Sequence, residues 1–273
     1  DGTLDLNGWV TLTNRSGTAY PNARLQLVAG DVNRVKEDMR LLARREKAMM
    51  AAPASVAADM QQEALFEYHL YTLGRPTTLA DNQTKQVALL NASRVPVVKE
   101  LLLQGSDYYY RSSVGDIGQK MKTGVFVEFG NRESSRLGLP MPKGVVRVYK
   151  RDSAGNAQFV GEDRIDHTPK NEKVRLKLGE AFDVTADKKQ TDFRRREPNN
   201  KASYVGESAY EITLRNAKAE PVTVTVREPV PGDWTMLDES QKHTKVAAGT
   251  AEWKVVVPAG GSTTLKYRVL VRY

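Results

Sequence analysis

Between Lys173 and Leu178 the chain alternates without a break: Val174, Leu176 and Leu178 are apolar, and Lys173, Arg175 and Lys177 between them are basic. A two-residue period puts one face in a core and the other in water, so the stretch is read as a half-buried β-strand. The same rhythm surrounds it from Leu139 to Asp183. Val145, Arg147 and Tyr149 alternate with Val146, Val148 and Lys150. Asp152 to Asn156 supplies turn residues, Phe159 and Val160 form a further strand, and Gly179 is expected to end the series. Strand signals recur at Leu6–Asn14, Ala23–Ala29, Leu65–Leu73, Lys85–Leu90, Val95–Leu103, Val125–Asn131, Ser203–Asn216, Val222–Val226 and Thr263–Tyr273. Tyr108 to Tyr110 reads as a short strand, and Ser112 to Met121 as a loop. The expected class is all-β: tandem β-sandwich domains of immunoglobulin-like kind.

One segment breaks the rhythm. Val32, Val35, Met39 and Leu42 recur at three- and four-residue steps, a helical spacing that Asp31 could cap. Ala51-Ala-Pro53-Ala-Ser55 interrupts it, and a weaker helical run follows from Val56 to about Glu63. Residues 31–63 are therefore expected to be one helical or disordered insertion.

A faint internal echo bears on domain count. Val10-Thr-Leu-Thr-Asn14, Val127-Glu-Phe-Gly-Asn131 and Ile212-Thr-Leu-Arg-Asn216 each end a strand on asparagine. Each has a later polar turn leading into another strand: Asp81-Asn-Gln-Thr84, Lys170-Asn-Glu172 and Ala259-Gly-Gly-Ser262. Two readings stay open: turn chemistry common to all sandwiches, or tandem immunoglobulin-like units of about 90 residues. The domains expected are 1–182, a composite β-sandwich carrying the 31–63 insertion and compatible with a split near 95, and 183–273, an immunoglobulin-like sandwich. The length, 273 residues, accommodates both.

Lys and Arg outnumber Asp and Glu by 41 − 33 = 8, which favours solubility and weak polyanion binding without selecting a fold. There is no cysteine, so disulfides and thiolate metal sites are excluded. No apolar run reaches the roughly 20 residues of a membrane helix. The sequence opens at Asp1, almost inside a strand, with neither an initiator Met nor a signal peptide. It is expected to be part of a longer protein, with any targeting segment upstream.

Several phrases are more distinctive: Asn7-Gly-Trp-Val-Thr-Leu-Thr-Asn14, Ala23-Arg-Leu-Gln-Leu-Val-Ala-Gly-Asp31, Glu67-Tyr-His-Leu-Tyr-Thr-Leu73, Leu139-Pro-Met-Pro-Lys-Gly144, Asp166-His-Thr-Pro169 and Gly179-Glu-Ala-Phe-Asp183. In this wording, over nearly its whole length, the chain resembles a bacterial family known only as a domain of unknown function. That family is related to the C-terminal region of mucoidy-inhibitor-like proteins. The resemblance implies a mostly β, exported bacterial protein, periplasmic or secreted. It implies no activity, cofactor or catalytic residue.

The residues themselves point the same way. His69, His167 and His243 lie far apart, without the spacing of a zinc motif. Glu162, Asp163, Asp166 and His167 form the best acid–base-looking cluster, for which a turn bonding its own backbone is the plainer reading. No nucleophile elbow, phosphate loop or dinucleotide glycine pattern occurs. Basic residues, Arg194-Arg-Arg196 included, are mixed with acids, so no specific nucleic-acid partner is expected. The expectation is a non-catalytic extracytoplasmic binding or structural module needing no cofactor. Its partner would be another envelope protein or a polysaccharide. The rival is a β-sandwich hydrolase or a carbohydrate-binding accessory domain.

Overall fold

Alternation governs the fold in the computed structural model, which describes residues 2–30, 55–56, 60–196 and 204–273. The strands are β1 (Gly2–Thr13), β2 (Tyr20–Ala23), β3 (Gln26–Ala29), β4 (Ser55–Val56), β5 (Met60–Leu65), β6 (Tyr68–Leu73), β7 (Thr77–Leu79), β8 (Thr84–Gln104) and β9 (Asp116–Gly130). They continue as β10 (Gly144–Arg151), β11 (Ala157–Ile165), β12 (Lys173–Arg196), β13 (Val205–Asn216), β14 (Val222–Pro229), β15 (Asp233–Glu239), β16 (Thr244–Ala247), β17 (Thr250–Val257) and β18 (Ser262–Arg272). The helical elements among the described residues are two short 3-10 turns, Asp107–Tyr110 and Glu133–Ser135. The chain is all-β and sandwich-like.

Several sequence expectations are corrected. Tyr108 to Tyr110 is a 3-10 turn rather than a strand, with Tyr109 and Tyr110 buried. Gln190 holds it there: Nε2 donates to the carbonyls of Tyr109 and Ser112, and Oε1 accepts from the amide of Val114. Gly179 does not end a strand but continues β12 at φ +145°. Most of the expected loop from Ser112 to Met121 is the start of β9. Leu65–Leu73 is broken by a hairpin turn at Phe66, which has φ +57°. Of the expected insertion, 31–54 and 57–59 lie outside the described residues. The remainder, residues 55–56 and 60–63, is strand rather than helix. Backbone pairing with β8 and β6 prevails there over a weak helical period.

The chain forms two compact units. The first comprises residues 1–97, 129–145 and 164–174. In it β1 runs antiparallel to β8 from Gly2↔Val97 to Thr13↔Thr84, β4 pairs parallel with β8, β2 pairs with β7, and β3-β6-β5 form a three-stranded sheet. Tyr71, Leu73, Val87, Val95, Phe129 and Met141 are buried in it.

The second unit comprises residues 98–128, 146–163 and 175–273. Its strands follow the order β15-β18-β13-β12-β9-β8-β14-β17-β16, with the β10–β11 hairpin separate. Inward positions at every second residue form the core, which includes Ile212, Leu214, Val224, Val226, Trp253 and Val269. The Trp253 ring stacks on Tyr267 at 4.8 Å, so β17 and β18 face each other across it. Two inward positions carry charge. Lys188 follows Val184 and Ala186 on β12, and Glu228 follows Val224 and Val226 on β14. Nζ of Lys188 donates to Oε1 of Glu228 at 2.6 Å, with both side chains sealed from solvent.

The asparagine echo is a structural repeat. Asn14, Asn131 and Asn216, all buried, close three copies of one corner. The amide nitrogen of Asn14 donates to the carbonyls of Thr18, Leu79 and Ala80 (2.8, 3.4 and 2.9 Å). That of Asn131 donates to Leu139, Thr168 and Pro169 (2.8, 3.5 and 2.9 Å). That of Asn216 donates to Glu220, Val257 and Pro258 (2.8, 3.5 and 3.1 Å). Each side-chain oxygen accepts a nearby backbone amide, from Ser16, Gly138 and Lys218 respectively. Each backbone amide donates across the corner, to Gln83, Glu172 and Gly261. The far turns match too: Asn82, Asn171 and Gly260 hold φ of 55°, 73° and 56°, the left-handed region that Asn and Gly tolerate best.

Candidate functional site

The second corner does more than join strands. In the first unit it forms one wall of a half-open cavity of about 240 Å³. Three segments line this cavity besides Ala29 and Gly30: Glu67, His69 and Tyr71, then Pro140 to Pro142, then His167 to Pro169. His69 and Tyr71 share a face of β6 because the strand period is two, and Glu67 lies in the turn that leads into it. Those three segments come from three of the phrases that distinguish the sequence. Alternation alone could not bring them together, because the joining bonds are made by loops.

Each wall is fixed by hydrogen bonds. Asn131 gathers the carbonyls of Leu139, Thr168 and Pro169. Met141 and Thr168 exchange backbone hydrogen bonds, each 2.9 Å, as an isolated antiparallel bridge. The Tyr71 hydroxyl donates to the Pro140 carbonyl. Burial pushes that phenol up to about 12, so it stays a neutral donor. At Gly30 a Cβ would lie 2.3 Å from the Tyr68 ring, so only glycine fits beside the cavity.

The polar groups are few. The Lys143 amide donates to Nδ1 of His167 at 3.3 Å, which leaves the neutral ring with its proton on Nε2. The Gln62 amide nitrogen lies 3.0 Å from Nδ1 of His69 and, donating there, sets the same tautomer. The Thr168 hydroxyl donates to the Asp166 carbonyl. Both hydroxyls are thus spent on backbone carbonyls, and the imidazoles, with exposed Glu67, carry the cavity's remaining polarity among walls of proline and methionine.

The four residues singled out in the sequence do not share one site. The Glu162 carboxylate pairs with Arg147 at 3.0 Å on the β10–β11 hairpin. Asp163 accepts from the Lys177 amide at 2.7 Å. Both belong to the second unit, whereas Asp166 and His167 belong to the first. Of the four, His167 lines the cavity, and Asp166 contributes the carbonyl that holds Thr168. Among the described residues, no group of three or more His, Asp or Glu side chains is placed to hold a metal ion. Tyr71 and Met141 stand out in the sequence only within the family wording, and His69 there and as a histidine lacking zinc-motif spacing. The signal that could have singled them out is polar or aromatic residues at one face of a strand beside a proline-rich loop.

No helix among the described residues is long and apolar enough to cross a membrane. No curated protein and no solved structure shows a significant match to the chain. One family does match, over residues 1–273, and the chain belongs to it: the domain of unknown function DUF4139.

Proposed function

We propose that this chain is a non-catalytic binding module of a bacterial envelope protein, periplasmic or secreted, and that its ligand site is the cavity beside the second asparagine corner. The observation that carries the reading is the convergence of three distinctive phrases on one braced cavity with two half-buried imidazoles. At about 240 Å³ it is smaller than the ~300 Å³ at which drug-sized sites begin. It therefore suits one small group at the end of a larger partner, a polysaccharide unit or a protein terminus, seated beside the two imidazoles. Its hydroxyls are occupied in bracing the walls, which favours binding over nucleophilic chemistry. The resemblance in wording to mucoidy-inhibitor-like proteins and the immunoglobulin-like reading of residues 183–273 support an envelope role.

The test is binding of purified chain to an envelope polysaccharide fraction and to envelope proteins, compared with His69→Ala and His167→Ala. Binding that weakens at least tenfold in both variants, with unchanged circular dichroism, supports the reading. Turnover in a hydrolase screen that depends on these histidines overturns it in favour of the hydrolase rival.

A further inference from the structure

Lys188 and Glu228 are placed for chemistry as well as for packing. Their side chains are 1% and 0% exposed, and Nζ lies 2.6 Å from Oε1. The second carboxyl oxygen accepts the Tyr110 hydroxyl at 3.0 Å, and that hydroxyl lies 3.0 Å from the hydroxyl of Tyr267. The rest of the lysine's surroundings is aromatic: Nζ sits 4.3 Å from the ring centre of Tyr109 and 5.4 Å from that of Tyr210. Two charges stripped of water each carry a large desolvation cost. Burial accordingly pulls the Lys188 ammonium down towards the neutral amine, with Glu228 opposing that shift.

We propose that Lys188 and Glu228 are joined in the mature protein by an amide bond formed spontaneously inside the folded second unit. Proton transfer within the pair first gives a neutral amine and a carboxylic acid. The Nζ lone pair attacks Cδ of Glu228 and an N–Cδ bond forms. A C–O bond then breaks, and that oxygen leaves as water with one proton from the nitrogen and one from the acid. No oxidant or cofactor is consumed. In bulk water hydration of the two ions opposes this condensation; in this core that hydration is absent. The fold holds the reacting groups in contact, so the entropy of bringing them together is already spent. The Tyr110 hydroxyl, backed by Tyr267, is positioned to stabilise charge developing on the carboxyl oxygen. The bond would link residues 40 apart in a chain without cysteine, restricting the unfolded state as a disulfide does.

The experiment is intact-mass measurement of the denatured wild-type chain, followed by tryptic mapping. The expected mass is one water below that of the sequence. Trypsin should fail to cut after Lys188 and should yield Leu178–Lys189 joined to Glu228–Lys242 as one branched peptide. Lys188→Met should restore the full mass. If that variant does not fold, the wild-type map alone decides. The proposal is overturned if the wild type has the full sequence mass and its two peptides are recovered separately, or if the lost water maps elsewhere. Because this readout is independent of ligand binding, its outcome is separate from that of the binding reading.

Discussion

A Cβ added to Gly105 would lie 2.1 Å from Oε2 of Glu228. The carboxylate cannot swing aside, because Lys188 and Tyr110 grip it in a core with no exposed surface. The Gly105 amide is also tied, donating to the Arg227 carbonyl at 2.8 Å. Gly105→Ala is therefore expected to destabilise the chain by about 1–3 kcal/mol through overpacking. A urea titration with an unchanged m-value and a lower midpoint would register it. An unshifted midpoint would mean that the carboxylate has room to move.

The asparagine corners make a sharper prediction, because donor and acceptor roles are separable. Asn216 uses its amide nitrogen on three carbonyls. Asn216→Ala leaves one buried and two part-buried carbonyls without that donor and should cost about 1–3 kcal/mol. Asn216→Asp puts a carboxylate oxygen against those carbonyls and should cost at least as much, although it is the closer mimic in shape. Denaturant unfolding of the two variants at neutral pH compares them. An aspartate variant as stable as wild type would contradict the donor role.

On the alkaline side, burial pushes the phenols of Tyr71, Tyr109 and Tyr210 up to about 12 and raises those of Tyr110 and Tyr267 well above the ordinary value. A folded pKa above the unfolded value of about 10 gives stability that is complete below that pH and declines as pH rises through the folded values. Phenolate absorbance should therefore include a late component that appears together with loss of the β circular-dichroism signal. A titration completed with the fold intact would contradict this.

On the acid side the sign reverses. Burial pushes the Glu207 carboxyl up, but the guanidiniums of Arg268 and Arg196 more than reverse that and hold it below the usual carboxylate range. Hydrogen bonding by the Lys120 amide and by Arg215 lowers Asp187. Stability from such depressed carboxyls is present above their unfolded values, near pH 4, and is lost as pH falls through the folded ones. Arg268→Gln should lower Tm at pH 7 and make the further fall of Tm between about pH 5 and 3 shallower than in wild type. Thermal unfolding across that range measures both slopes.

Much of this was legible in the chain, and the failures have physical causes. Alternation marked β1, β12 and β18 because one face of each meets water, whereas the first half of β13 is buried on both faces. The repeated asparagine was visible as a strand-ending residue, since the corner is built from local turn chemistry. Lys188 and Glu228 were legible in principle: each occupies the inward phase of an apolar series, Val184-Ala186-Lys188 and Val224-Val226-Glu228. What periodicity could not supply was the partner, 40 residues away. Three consecutive tyrosines looked like a strand because aromatic residues favour sheets. Contacts from Gln190 and Tyr210, reaching from remote strands to the Tyr109 carbonyl, decided otherwise. The cavity was invisible for the same reason, since loops distant in sequence enclose it.

The three corners fasten chain segments of different length: their asparagines reach carbonyls 66, 38 and 42 residues ahead. One clasp thus tolerates intervening stretches of unequal length while the strand ends stay moored. In the second copy that tolerance has been put to use, and a recess grows out of the excursion. A foreign segment spliced into the exposed turn between β10 and β11, at Ser153 to Gly155, should be accommodated on the same hardware, making that excursion a place for displaying inserts.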